Sequence, residues 1–215
     1  LLSEREFRQT MQLIQSVGAE VAYHALDVQD SAAFADLIQN IYQKHGRIDG
    51  VVHGAGVIED KLLKDKTQES FERVFNTKVN AAQVLRDQIR DDVQFVVFFS
   101  SVASAFGNRG QADYASANDA LDKIAHSWQA RIKGRVLSVN WGPWADTGMV
   151  NDSLRKEYAS KQIGLVPKDA GVFALLAELG CPQMEAQVVL MSGKPASFLG
   201  ETAGEAASEA TGHGA

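Results

Sequence analysis

The sequence predicts an α/β fold built on a doubly wound parallel sheet, and three observations predict it. Short apolar runs at 48–53, 95–99, 135–141 and 188–191 alternate with longer segments of helical periodicity. The run at 95–99, FVVFF, is apolar throughout, as a strand covered on both faces has to be. Polar residues and glycines follow these runs at once, which suggests the C-terminal ends of parallel strands, where open α/β sheets place their ligands.

Bulk properties agree with one such domain. The 215 residues are 45% hydrophobic, enough for a substantial core. With 21 basic and 27 acidic residues the net charge is −6, which argues against a nucleic-acid partner held by a basic surface. No apolar segment approaches the ~20 residues needed to span a bilayer. Cys181 stands alone, so no internal disulfide forms, and the absence of a secretory signal fits a reducing, cytoplasmic setting.

In chain order, residues 1–17 read as a helix with Phe7, Met11, Ile14 and Leu13 at helical spacing before Gly18. EVAYHALDV, 20–28, reads as a strand. Residues 31–45 form an amphipathic helix with Phe34, Leu37, Ile38, Ile41 and Tyr42 on one face and Gly46 as stop. A strand at 48–53 then runs into Gly54, Ala55 and Gly56, where missing side chains let backbone approach a ligand. His53 reads as a structural hydrogen-bonding residue, since no second metal ligand is spaced for it.

Residues 68–91 are a long helix facing Phe71, Val74, Phe75, Ala82, Leu85 and Ile89 inward. Lys78 interrupts that stripe, as either a snorkelling surface lysine or a buried functional one. After the strand at 95–99 and a glycine-containing loop comes a helix carrying Tyr114 and Asn118, with Leu121, Ile124, Ala125 and Trp128 as its core face. Gly134 precedes the strand RVLSVNW, which ends in Gly142, Pro143 and Trp144. Residues 145–165 are weakly patterned and polar; Pro167 opens a helix through Leu179 with Ala170, Phe173, Ala174 and Leu176 available to pack, and 188–191 is a final strand. Residues 1–199 form the domain, and the Gly-, Ala- and Glu-rich residues 200–215 read as a flexible linker.

The stretch FVVFFSSVASAFGNRGQADYASANDAL, 95–121, is the site candidate. A serine hydroxyl at the strand end can donate to a carbonyl oxygen, and a phenol entering from the next helix can protonate that same oxygen. An ordinary phenol has a pKa of about 10, so it needs a cation or hydrogen-bond network to serve at neutral pH. Asn118 follows Tyr114 by four residues, one helical turn on the same face. Taken singly, each of these residues favours the plainer reading of capping, turning or packing.

SSVASAFGNRGQADYASAN resembles the active-site segment of ketoreductase domains in polyketide and polyunsaturated fatty acid synthases, a branch of the short-chain dehydrogenase/reductases. Ordinary members carry Tyr-x-x-x-Lys and an asparagine on the preceding helix. Synthase ketoreductases exchange the two, and this sequence reads Y-A-S-A-N with Lys78 upstream. The resemblance covers roughly residues 20–195 and implies a Rossmann-like sheet and NADPH-dependent reduction of a β-ketoacyl thioester carried on an acyl carrier protein. Tyr114 would then be the proton donor, Ser101 would hold the substrate oxygen, Lys78 would lower the phenol pKa and orient the ribose, and Asn118 would order the ribose or a relay water.

The resemblance further implies that Asp27 and Val28 lie beside the adenine, that His53, Gly54, Ala55 and Gly56 form the H-x-A-G loop at the ribose and nicotinamide, and that Trp141, Gly142 and Pro143 bring backbone to the nicotinamide. Ile58, Glu59 and Asp60 stand where enzymes of B-type stereochemistry have Leu-Asp-Asp, and Phe106 stands where A-type enzymes have tryptophan. Met149, Val150, Leu154 and Tyr158 would line a lid over the substrate.

One departure matters. No G-x-G-x-x-G turn occurs, and in the strand order 3-2-1-4-5-6 the segment 20–28 belongs beyond two strands that these residues do not contain. The expectation is an N-terminally incomplete domain that relies on an earlier segment of a multidomain synthase. Rival readings are a catalytically silent scaffold domain of a synthase and a free-standing short-chain alcohol dehydrogenase.

Overall fold

The computed structural model describes residues 4–145, 152–160, 163–183 and 185–193. Four strands, β1 (Gly50–His53), β2 (Phe95–Ser101), β3 (Arg135–Trp141) and β4 (Gln187–Leu190), form one sheet in the order β1-β2-β3-β4. All three pairings are parallel, with Gly50 opposite Phe95, Phe95 opposite Arg135 and Ser138 opposite Gln187. Around and between the strands run α1 (Glu4–Ser16), α2 (Ser31–His45), α3 (Gln68–Gln88), α4 (Val102–Phe106), α5 (Ala112–Gln129), α6 (Asp152–Ser160) and α7 (Lys168–Leu179). The predicted α/β class with a parallel sheet is borne out.

Apolar cores lie on both faces of the sheet. On one, Val96, Phe98 and Val136 meet α2, α3 and α5 through Ile38, Tyr42, Val79, Ala82, Leu85, Leu121, Ala125 and Trp128. On the other, Val97, Leu137, Val139 and Trp141 meet Trp144, Val166, Leu175 and Leu179. Each side chain brought fully inside contributes about 1.5–3 kcal/mol. β3 is buried along its whole length, which is why its sequence carries no alternation.

Local chemistry sets the ends of the helices. Asp30 caps α2 by accepting from the Ala33 amide, and Gly46, at φ 79°, closes it. Thr67 caps α3 by accepting from the Ser70 amide. Pro167 occupies the cap of α7, where a missing N–H costs nothing.

Two expectations need correction. Residues 20–28 are not a strand: they run irregularly and mostly exposed into α2, touching α1 through a Phe7–Tyr23 ring contact of 4.5 Å. Alternating apolar residues make a strand only where a neighbour offers its backbone, and among the described residues β1 pairs with β2 alone. On α7 the inward residues are Gly171, Leu175 and Leu179, whereas Phe173 is 75% and Leu176 62% exposed and Ala170 is also exposed. The reason is Trp144, whose ring lies where a Cβ on Gly171 would come within 2.4 Å, so the helix turns its glycine to the indole. The weakly patterned polar stretch after Trp144 contains a helix, α6.

Gly134 marks the tightest approach of loop to sheet. A Cβ there would stand 2.1 Å from the Val93 carbonyl oxygen and 2.8 Å from that of Gln94, both on backbone that cannot step aside. Gly134→Ala is therefore expected to destabilise the fold by about 3 kcal/mol. Thermal unfolding checks it, and an unchanged Tm would refute the close approach.

Candidate active site

The site forms where β2 ends and α4, α3 and α5 converge on that end. Ser101, the last residue of β2, is also the cap of α4, and its Oγ accepts from the Ala103 amide at 3.2 Å. An acceptor so used keeps its own proton to donate. The Ser101 carbonyl is held by Ser104 Oγ at 2.8 Å and Asn140 Nδ2 at 3.1 Å.

Lys78, from the middle of α3, is 4% exposed, and its Nζ donates to the Phe99 carbonyl at 2.8 Å. The ammonium sits 5.7 Å from the centre of the Tyr114 ring. Burial lowers its pKa from the ordinary 10.5 to about 8, and the charge of Asp122 acts the other way. The sequence left Lys78 open between surface and interior, and the structure resolves it as interior. Gly56 makes room for it, since a Cβ there would lie 3.0 Å from Lys78 Cε. His53 Nε2 meets the Lys78 carbonyl at 3.0 Å, fixing the tautomer with the proton on Nε2, and desolvation holds its pKa down at about 4.

Tyr114 and Asn118 sit one turn apart on α5, and Asn118 Nδ2 donates back to the Tyr114 carbonyl at 2.7 Å. Burial raises the phenol pKa, polar contacts from Ser101 and Asn118 lower it, and the charge of Asp60 raises it again, so the net direction is upward. Lys78 was expected to lower it. Within the protein itself desolvation dominates instead. The phenol therefore holds its proton at neutral pH but is a weaker acid than an ordinary tyrosine, so donation from it calls for a neighbouring cation to stabilise the phenolate.

The structure thus gathers Lys78, Ser101, Tyr114 and Asn118 around one strand end. Ile58 is 38% exposed. Glu59 is tied to α3 by Ser70 Oγ at 2.7 Å and by Arg73 Nε and Nη2 at 2.7 and 2.9 Å, and these bonds, Arg73 first, hold its carboxyl at about 2. Asp60 accepts from Gln111 Nε2 at 3.1 and 3.0 Å. Phe106 is half-buried at the end of α4. Trp141 packs on Phe99 and Trp144, with Gly142 bonded to Leu190 and Pro143 to Val166. Asp27 and Val28 stand apart, in the turn before α2, where Asp27 accepts from the Gln29 amide. Met149 and Val150 lie outside the described residues, as does the side chain of Leu154, while Tyr158 is half-buried on α6.

Sequence reasoning missed two buried carboxylates. Asp122, fully buried, accepts from Ser104, Ser138, Asn140 and Gln187, joining α5 to α4, β3 and β4 directly behind Ser101. Its position eight residues after Tyr114, on the same helical face, was the available signal. Asp113 is the other, paired with Lys66.

With this geometry in view, comparison with known proteins is decisive. A profile of the KR domain family matches residues 2–146. The chain belongs to the KR domain family. This KR domain is 35% identical over 173 residues to a polyunsaturated fatty acid synthase polypeptide of Thraustochytrium sp., and the alignment takes in 80% of this chain and 6% of that polypeptide. A ketoreductase domain from the bacillaene assembly line is 30% identical in sequence and superposes with a TM-score of 0.80, covering 92% of this chain and 49% of that one. A short-chain dehydrogenase from Streptomyces avermitilis, at 18% identity, shares the fold with a TM-score of 0.74 over 94% of this chain and 82% of the other. The KR domain therefore spans a small fraction of the synthase polypeptide it matches.

The residues fit a nicotinamide dinucleotide. Asn118 Oδ1 and Trp141 Nε1 are buried polar atoms with no hydrogen-bond partner among the described residues. A Cβ on Gly54 would meet open space, so the backbone after β1 is accessible to a ligand. Among the described residues no cluster of side chains suits a metal ion, and no helix is long and apolar enough to cross a membrane.

Proposed function

We propose that this KR domain reduces a β-ketoacyl thioester, carried on the phosphopantetheine arm of an acyl carrier protein within a multidomain synthase, to the β-hydroxyacyl thioester with B-type stereochemistry. The observation that carries the reading is the convergence of a half-buried Tyr114, whose phenol keeps its proton, with the Ser101 hydroxyl and the Lys78 ammonium at one strand end. NADPH supplies the hydride when bound. Lys78 and Asn118 would hold its ribose, the backbone of His53, Gly54, Ala55 and Gly56 would lie along it, and Trp141, Gly142 and Pro143 would flank the nicotinamide, with Asp27 and Val28 at the adenine.

The chain's own residues do the remaining work. Ser101 Oγ donates to the ketone oxygen and sets its place. Tyr114 gives its proton to that oxygen as negative charge develops on it, and Lys78 stabilises the resulting phenolate. Ile58, Glu59 and Asp60 wall the substrate side, with Phe106 and Met149 completing the stereochemical selection. No glycine-rich turn for a pyrophosphate occurs among these residues.

The test is NADPH oxidation by the full-length chain with a β-ketoacyl thioester, followed by chiral analysis. Turnover to the B-type alcohol is expected. NADPH binding without turnover would overturn the enzymatic reading, and the opposite alcohol would overturn the assignment of Ile58, Glu59 and Asp60.

A further inference from the structure

The segment 58–66 lies against the N-terminal turn of α5 and the loop before it, and a buried ion pair joins them. Lys66 Nζ donates to Asp113 Oδ2 at 2.5 Å and to the Glu59 carbonyl at 2.6 Å, and each side chain of the pair is 1% exposed. The other carboxylate oxygen, Asp113 Oδ1, accepts from the backbone amide of Tyr114 at 2.9 Å. One ammonium therefore connects, through a single carboxylate, the backbone of the stereochemical loop to the backbone of the proton donor. Two weaker ties share the seam: the Lys61 amide donates to the Gly110 carbonyl at 2.9 Å, and Gln111 Nε2 bridges both oxygens of Asp60. Those are at the surface, where water competes for the same groups. The Lys66 tie is dry, and removing one member strands a buried charge.

We propose that Lys66 is a positioning residue that sets product stereochemistry, by locking the Ile58-Glu59-Asp60 loop to Tyr114 so that substrate wall and proton donor hold one fixed spacing. The inference rests on the ketoreductase reading and deepens it. A ketone presents either face depending on how it lies between the loop and the phenol. A wall free to drift relative to the donor admits both orientations, whereas a wall bolted to it admits one. Lysine suits the role because its three donors can reach two acceptors on different segments.

The experiment compares the wild-type full-length chain with Lys66→Met and with Lys66→Met/Asp113→Asn, the second variant removing the stranded charge so that the fold is kept. Two readouts are taken: the ratio of the two alcohol products from a β-ketoacyl thioester, and hydrogen exchange of the amides at 58–61, which needs no turnover. Exchange faster by about tenfold and a product ratio eroded by about tenfold in the double variant are expected, with NADPH affinity within about threefold of wild type. Unchanged exchange would overturn the clamp, and faster exchange with an unchanged product ratio would overturn its control of stereochemistry. A wild-type chain that binds NADPH without turnover would overturn the proposal through the ketoreductase reading itself, and the exchange data would separate that failure from a failure of the clamp.

Discussion

Reduction of a β-ketoacyl thioester is expected to slow by about 10³-fold when Tyr114 is replaced by phenylalanine, with NADPH affinity staying within about threefold. The substitution removes one oxygen and leaves the ring that faces the Lys78 ammonium at 5.7 Å. It deletes the phenol proton, and the Ser101 hydroxyl has a pKa far too high to replace it. Burial raises the phenol pKa, so the proton is in place throughout the neutral range. Steady-state kcat and a direct measurement of cofactor binding check this. A Tyr114→Phe enzyme retaining more than about a tenth of wild-type kcat would end the assignment of Tyr114 as donor.

Lys78→Met is expected to lower kcat/KM by about 10²-fold or more without lowering Tm. The two halves of that statement have one cause. The ammonium is buried, and its pKa falls from 10.5 to about 8. Below pH 8 both folded and unfolded chains carry the proton, so the folded state bears the full cost of a buried charge, on the order of 3 kcal/mol. Between about 8 and 10.5 the folded chain has released the proton and the unfolded chain has not. Stability therefore rises with pH across that window and levels off above it. A methionine of similar length avoids the cost at every pH. Catalysis needs the charge, so wild-type kcat/KM should fall above about pH 8, where the free enzyme loses it. Thermal unfolding and a pH–rate profile test both halves. A Lys78→Met protein that is markedly less stable, or fully active, would contradict them.

What was legible in the sequence follows from where burial is symmetric. β2 and β3 read correctly because strands covered on both faces must be apolar runs, and α2, α3 and α5 because one face of each meets the core. α4 was invisible: five residues give no period to read. α7 is apolar nearly all round, so its inward face depended on a neighbouring indole the sequence does not mark. The segment 20–28 has the pattern of a strand and, among the described residues, no partner to make it one. In the site, Lys78, Ser101, Tyr114 and Asn118 were recognisable as a set by resemblance, and their convergence at one strand end is what the structure adds. Lys66 was not recognisable, because the run Lys64-Asp65-Lys66 looks solvated and only the fold shows that one of those charges points inward.

The parallel register has a kinetic consequence. Gly50 pairs with Phe95, Phe95 with Arg135 and Ser138 with Gln187, so every strand contact closes a loop of roughly 40–50 residues and none can form as a local hairpin. Entropy must be surrendered over each of these loops before any ladder hydrogen bond rewards it, which makes assembly slow and leaves β1 and β2 unpaired for a long interval. During synthesis on the ribosome the apolar run 95–99 emerges well before β3, its partner on the far side. The amphipathic helices α2 and α3, complete by then, are the natural early cover for that run, and their packing on it would protect the nascent sheet from joining the wrong edge.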